Sequence, residues 1–142
     1  MNALKFATST LTGLALLALL ASLNAFAHDP VYGKEKLNVL QEHQLSNVPG
    51  KKVMMLTVDY APGQATVPHM HEGSAMAYVL EGEITSQVND EKAITFKAGE
   101  SWYEAAGSRH PVSENASQSR PAKLLVFMLM DNKDEVLTPL NQ

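Results

Sequence analysis

Residues 51–82 read KKVMMLTVDYAPGQATVPHMHEGSAMAYVLEG, and the way apolar runs alternate with turn residues there decides the fold class. Lys51–Tyr60 is rich in Val, Met, Leu and Thr, the make-up of a strand. Ala61-Pro62-Gly63-Gln64 then turns the chain, because proline pre-sets one backbone angle and glycine permits the next. Residues 65–71 are extended and Glu72-Gly73 interrupts them. Residues 74–80 and 83–88 read as a hairpin about Glu81-Gly82. The rhythm continues downstream. Asn89-Asp90 leads into 93–97, Ala98-Gly99-Glu100 turns again, and 101–104, 110–114 and 123–130 complete the series. Strands this short, with turns this frequent and no long helix, indicate an all-β sandwich or barrel. Residues 36–45 fit more than one element type, and 131–142 read as a polar tail.

The first 27 residues carry one cation (Lys5), an apolar run over 11–23 and the small-residue ending Ala25-Phe26-Ala27. That pattern is a secretory signal cleaved before His28. The apolar run is short for a bilayer span, so the expectation is a periplasmic or secreted protein without a membrane attachment after cleavage. Loss of 27 of 142 residues leaves 115, enough for one domain with one core. The expected division is an N-terminal strand or arm over 28–50, a barrel over 51–130 and a tail over 131–142. The formal charge of −4 becomes −5 once Lys5 is removed, and no basic block exists, which speaks against nucleic acid and anionic membranes as partners. Cysteine is absent. Its absence rules out thiolate nucleophiles, redox thiol pairs and cysteine metal sites, and leaves stability to the core, a metal or oligomerisation.

Three of the five histidines carry the chemistry. His69 and His71 are two residues apart, so on a strand both imidazoles project from one face, with Met70 pointing the other way. His110 follows the turn Ala106-Gly107-Ser108-Arg109. Imidazole suits Zn, Cu, Fe and Ni, and a three-histidine face leaves positions open for water or substrate. By spacing alone, two such histidines can equally be surface residues.

The surrounding pattern resembles the cupin superfamily. Gly63, His69-Met70-His71 and Tyr78-Val79-Leu80-Glu81-Gly82-Glu83 resemble its first motif, and Gly99, Gly107, His110 and Asn115 its second. The resemblance covers 51–130 and implies a single jelly-roll β-barrel with an interior metal held by the motif histidines and a glutamate. It also implies pairing of barrels through edge strands, hence a homodimer. The position of the family's metal-binding glutamate holds Ala75, the usual second-motif proline is Ala105, and Asn115 falls one residue late. The metal set expected here is therefore His69, His71 and His110, with Gln87 as a candidate fourth ligand. A three-residue hairpin loop puts Gln87 on the histidine face near Ala75 and Ala77, and a two-residue turn flips it to the other. Glu104 shares a face with Trp102 and is the candidate general acid or base, with pairing to Arg109 at the rim as the other reading. Trp102 reads as pocket wall, Tyr78 and Tyr103 as core or interface, and the strand methionines as core filling.

Two function classes follow. One is a metalloenzyme of oxygenase, isomerase or lyase type, with Fe, Mn, Ni or Zn at the histidines and a small organic molecule as substrate. The other is a non-catalytic module that binds or senses a small ligand, with or without metal.

Overall fold

The computed structural model describes residues 29–141; the expected signal segment lies outside them. Among the described residues every regular element is a strand: β1 (Val31–Tyr32), β2 (Lys36–Gln44), β3 (Lys51–Tyr60), β4 (Gln64–Ala65), β5 (His69–Met70), β6 (Ser74–Glu81), β7 (Glu83–Gln87), β8 (Ile94–Lys97), β9 (Ser101–Glu104), β10 (Arg109–His110), β11 (Val112–Asn115), β12 (Ala122–Asp131) and β13 (Thr138–Pro139). They form two five-stranded sheets, β2-β3-β12-β6-β9 and β1-β4-β11-β7-β8, and a three-stranded sheet β10-β5-β13. None of the three closes on itself. The all-β class holds, and the closed jelly-roll barrel expected from the sequence is corrected to open sheets.

The physical reason lies at the edges, for β2 and β9 end one large sheet, β1 and β8 end the other, and among the described residues no ladder joins these edges. The hairpin expected about Gly82 is absent as well. β6 pairs with β12 and β9, whereas β7 pairs with β11 and β8, so no hairpin forms between them. The chain passes from one sheet to the other at Gly82, whose φ of +72° suits glycine. A Cβ there would meet the Pro121 carbonyl oxygen at 2.6 Å and the Ala122 Cβ at 2.9 Å. A turn signal specifies a change of direction, but the partner is chosen by burial elsewhere. β12 supplies that burial, pairing along its whole length with β3 on one side and with β6 on the other.

Alternation along β3 and β12 builds the core. Met54, Leu56, Val58 and Tyr60 face inward from β3, and Leu124, Met128 and Met130 from β12. Ile84 of β7 and Phe96 of β8 join the same cluster, so the two large sheets share one interior. A polar seam also joins them: the Tyr60 hydroxyl bonds Thr66 Oγ1 at 2.6 Å and Ser113 Oγ at 3.0 Å. The ambiguous 36–45 segment is β2, a terminal strand of its sheet with all nine residues exposed. The polar tail is tied down, for Thr138 and Pro139 pair with Met70 and His69, and Leu140 N–H donates to the Pro68 carbonyl at 2.8 Å.

Gly50 and Gly82 both have positive φ, but a Cβ on Gly50 meets nothing within 4 Å. Gly50→Ala therefore carries only the backbone cost of about 1–2 kcal/mol, while Gly82→Ala adds an overpacking cost of about 1–3 kcal/mol. Urea unfolding of the two variants measures the difference, and equal losses would contradict the account of the corner at Gly82.

Candidate metal centre

β5 lies between β10 and β13, and its pairing with β10 sets His69 directly opposite His110. His71 follows β5 by one residue. Its backbone is held by the turn after β9, where Gly107 N–H donates to the His71 carbonyl at 2.8 Å and His71 N–H donates to the Ser108 carbonyl at 3.3 Å. The three rings come together in the interior, His69 3 %, His71 7 % and His110 3 % exposed. One ring nitrogen from each lies within 4.8 Å of the others. Ring centroids of His71 and His110 stand 4.7 Å and 4.9 Å from that of His69.

The hydrogen bonds on the far sides of two rings decide what faces inward. His69 Nδ1 is 2.7 Å from the Val67 carbonyl oxygen, and His71 Nδ1 is 2.7 Å from that of Val136. A carbonyl only accepts, so in the neutral rings both Nδ1 atoms carry the proton and both Nε2 atoms present a lone pair. Those Nε2 atoms are 3.1 Å apart. Two lone pairs held face to face suit a shared electrophile, and metal–nitrogen bonds of about 2.0–2.1 Å span that separation. Burial above all, and then His71 nearby, lowers the pKa of His69 to about 4; burial, followed by His69 and His71, lowers His110 to about 3. His69 and His110 are thus neutral at physiological pH, the state a metal ligand needs. The cluster is able to hold a divalent metal ion.

Ser86 Oγ bonds His110 Nε2 at 2.9 Å, which leaves His110 Nδ1 turned toward Glu104. Glu104 is 2 % exposed. Its Oε1 accepts from Trp102 Nε1 at 2.8 Å, and its Oε2 lies 3.3 Å from His110 Nδ1 and 3.6 Å from His71 Nε2. Among the described residues neither His110 Nδ1 nor Glu104 Oε2 finds a hydrogen-bond partner. Burial raises the Glu104 carboxyl above the usual carboxylate range, opposed by His71 and by the bond from Trp102.

The structure brings together four of the five residues singled out from sequence and leaves Gln87 apart. On β7 the buried residues are Ile84 and Ser86, so Ser86 faces His110 and Gln87 lies on the opposite face. The hairpin register on which a Gln87 ligand depended is not formed. The space left by Ala75 and Ala77 is filled from the other side, since Ala75 pairs with Glu104 and Ala77 with Trp102 across β6 and β9. Trp102 does line the cavity, stacked at 4.8 Å on Phe96, whereas Tyr78 and Tyr103 are 44 % and 60 % exposed, which removes the core half of their core-or-interface reading. Sequence reading missed Ser86, Val67 and Val136. Period-two alternation from Ile84 would have found Ser86, but the other two act through backbone carbonyls and leave no side-chain signal.

The cavity beside the rings has a volume of about 50 Å³ and walls that are largely apolar, including Leu56, Val58, Leu124 and Met128. At its polar seam, burial pushes the Tyr60 hydroxyl up to about 12, so it stays protonated.

Lowered histidine pKa values set the pH response of the metal-stripped protein. Between about pH 6.5 and 4 the unfolded chain protonates His69 and His110 while the folded chain does not. The unfolded state then binds more protons, so stability falls as pH falls. Glu104, raised in the fold, returns part of this by taking up its proton earlier than in the unfolded chain. Two histidines against one carboxyl leave a net loss on the order of 1 kcal/mol per pH unit. Urea unfolding at pH 7 and pH 5 measures it, and equal or greater stability at pH 5 would contradict the neutral-histidine assignment.

No curated protein matches the chain in sequence. Among solved structures, TT1209 from Thermus thermophilus is 32 % identical, with 57 % of this chain and 74 % of that one covered and a TM-score of 0.49. An uncharacterised conserved protein with a double-stranded β-helix domain from Klebsiella pneumoniae has a TM-score of 0.60 at 18 % identity, covering 80 % of this chain and 90 % of its own. DMSP lyase DddQ from Ruegeria pomeroyi has a TM-score of 0.54 at 17 % identity over 61 % of this chain, which spans only 42 % of that enzyme. The cupin domain model matches residues 56–128, a span that runs from Leu56 in β3 to Met128 in β12 and takes in the three histidines and Glu104. The chain belongs to the cupin domain family.

Proposed function

We propose that this chain is an exported metal-dependent enzyme acting on a small organic molecule, with iron, manganese, nickel or zinc held by His69, His71 and His110. The observation that carries the reading is the pair of Nε2 atoms, 3.1 Å apart, with each ring's Nδ1 against the carbonyl of Val67 or Val136, beside a cavity with apolar walls. His69, His71 and His110 would hold a divalent ion there, which would supply a Lewis acid able to polarise a substrate oxygen. The chain's own residues supply orientation and an apolar surround. The two carbonyls keep the His69 and His71 rings from turning, Ser86 holds the His110 ring, and Leu56, Val58, Leu124 and Met128 give the cavity apolar walls. An oxygenase, isomerase or lyase reaction on an oxygen-bearing substrate fits such a site. Removal of the first 27 residues on export would leave it in the periplasm or medium.

Elemental mass spectrometry of the mature protein, purified without a histidine tag from the exported fraction, tests this. The expected content is near one equivalent of a single metal in the parent and essentially none in His69→Ala or His71→Ala. A chelator should lower the parent's melting temperature, because an ion bound only to the folded state at a hundredfold its Kd contributes about 2.7 kcal/mol. Absence of metal, even after dialysis against each candidate ion, would overturn the reading in favour of a ligand-binding module. Metal-loaded protein is then screened on small oxygen-bearing compounds with and without dioxygen; turnover that His69→Ala abolishes supports the enzyme.

A further inference from the structure

We infer that Glu104 is the fourth protein ligand of the metal centre, a carboxylate supplied by β9 across the strand pair from Ala75. The inference rests on the three-histidine metal reading and assigns the remaining protein donor. The Glu104 side chain is only 3 % exposed, yet among the described residues its Oε2 has no hydrogen-bond partner. A buried carboxylate oxygen without a partner is costly and rare. Its near neighbours are the ring nitrogens His110 Nδ1 at 3.3 Å and His71 Nε2 at 3.6 Å. Trp102 Nε1 occupies the other oxygen at 2.8 Å and so fixes the carboxylate with Oε2 toward the histidines.

The strand register explains how the group reaches this place. Ala75 and Glu104 are directly paired, both are buried, and the methyl of Ala75 leaves the larger side chain its room. A glutamate on either member of that pair starts from nearly the same point, since paired Cβ atoms are about 4.5–5.5 Å apart. Glu104 thus stands where a carboxylate on β6 would otherwise be. Its negative charge offsets half that of a divalent ion in a site whose other donors are neutral imidazoles. Carboxylate oxygen suits Mn better than softer ions, so Glu104 also biases the site toward Mn(II) or Fe(II).

Titration of the metal-stripped mature protein with Mn(II), followed by electron paramagnetic resonance, and with Co(II), followed by its visible spectrum, tests the assignment. Glu104→Ala should weaken Mn(II) binding at least about tenfold and change the Co(II) spectrum. Glu104→Gln keeps the size and the acceptor for Trp102, which guards against loss of the fold, and should weaken Mn(II) in the same direction. Ala75→Glu added to Glu104→Ala should recover most of the affinity and the parent spectrum. Parent-like Mn(II) affinity and Co(II) spectra in both Glu104 variants would overturn the inference while leaving the histidine site standing. A folded double variant with no recovery would overturn the equivalence of the two positions. A parent that binds neither ion would overturn the metal reading itself.

Discussion

The carbonyl oxygens of Val67 and Val136 each hold the Nδ1 proton of a histidine at 2.7 Å, and the surrounding strands are arranged so that both can do so. Without those bonds the rings could turn and exchange tautomers. With them, two Nε2 atoms are kept facing across 3.1 Å among buried side chains. Val67 is two residues before His69, but Val136 lies in the last segment of the chain. Its position depends on β13, which pairs with the very residues, His69 and Met70, that form β5. The C-terminal segment is therefore part of the centre's framework.

A polar cluster of this kind is unfavourable to bury, and the fold compensates elsewhere. Facing lone pairs, an unpartnered His110 Nδ1 and an unpartnered Glu104 Oε2 all sit in the interior. Against that cost stands the apolar cluster of β3, β6 and β12, whose Leu56, Val79 and Met128 are fully enclosed. A cation at the histidines would satisfy the same atoms, which links metal binding to folding. Openness of the sheets is consistent with this division. The large sheets share the hydrophobic interior, while the three-stranded sheet carries His69 on β5 and His110 on β10.

What could be read in advance followed from local chemistry. His69 and His71 at a spacing of two, and His110 after a glycine turn, pointed to one face, and the structure puts all three donors together. Glu104 was legible because it shares a strand face with Trp102, and that pair does hydrogen-bond. The misreadings at the site were matters of which distant strand a segment joins. Glu81-Gly82 carries every sign of a hairpin, yet the segments it links enter different sheets because β12 and β11 take them as partners. The parity of β7 followed from that choice, so Ser86 rather than Gln87 faces the histidines. The carbonyl of Val136 had no signal at all, since any residue could have provided it.

The central claim, a metal ion held by His69, His71 and His110, is tested most directly by anomalous X-ray diffraction. Crystals of the mature protein would be measured above and below the absorption edges of manganese, iron, nickel and zinc. The expected result is one anomalous peak within bonding distance of the Nε2 atoms of His69 and His71, with His110 completing the set. A peak at some other place, or none after soaking in each metal, would contradict it.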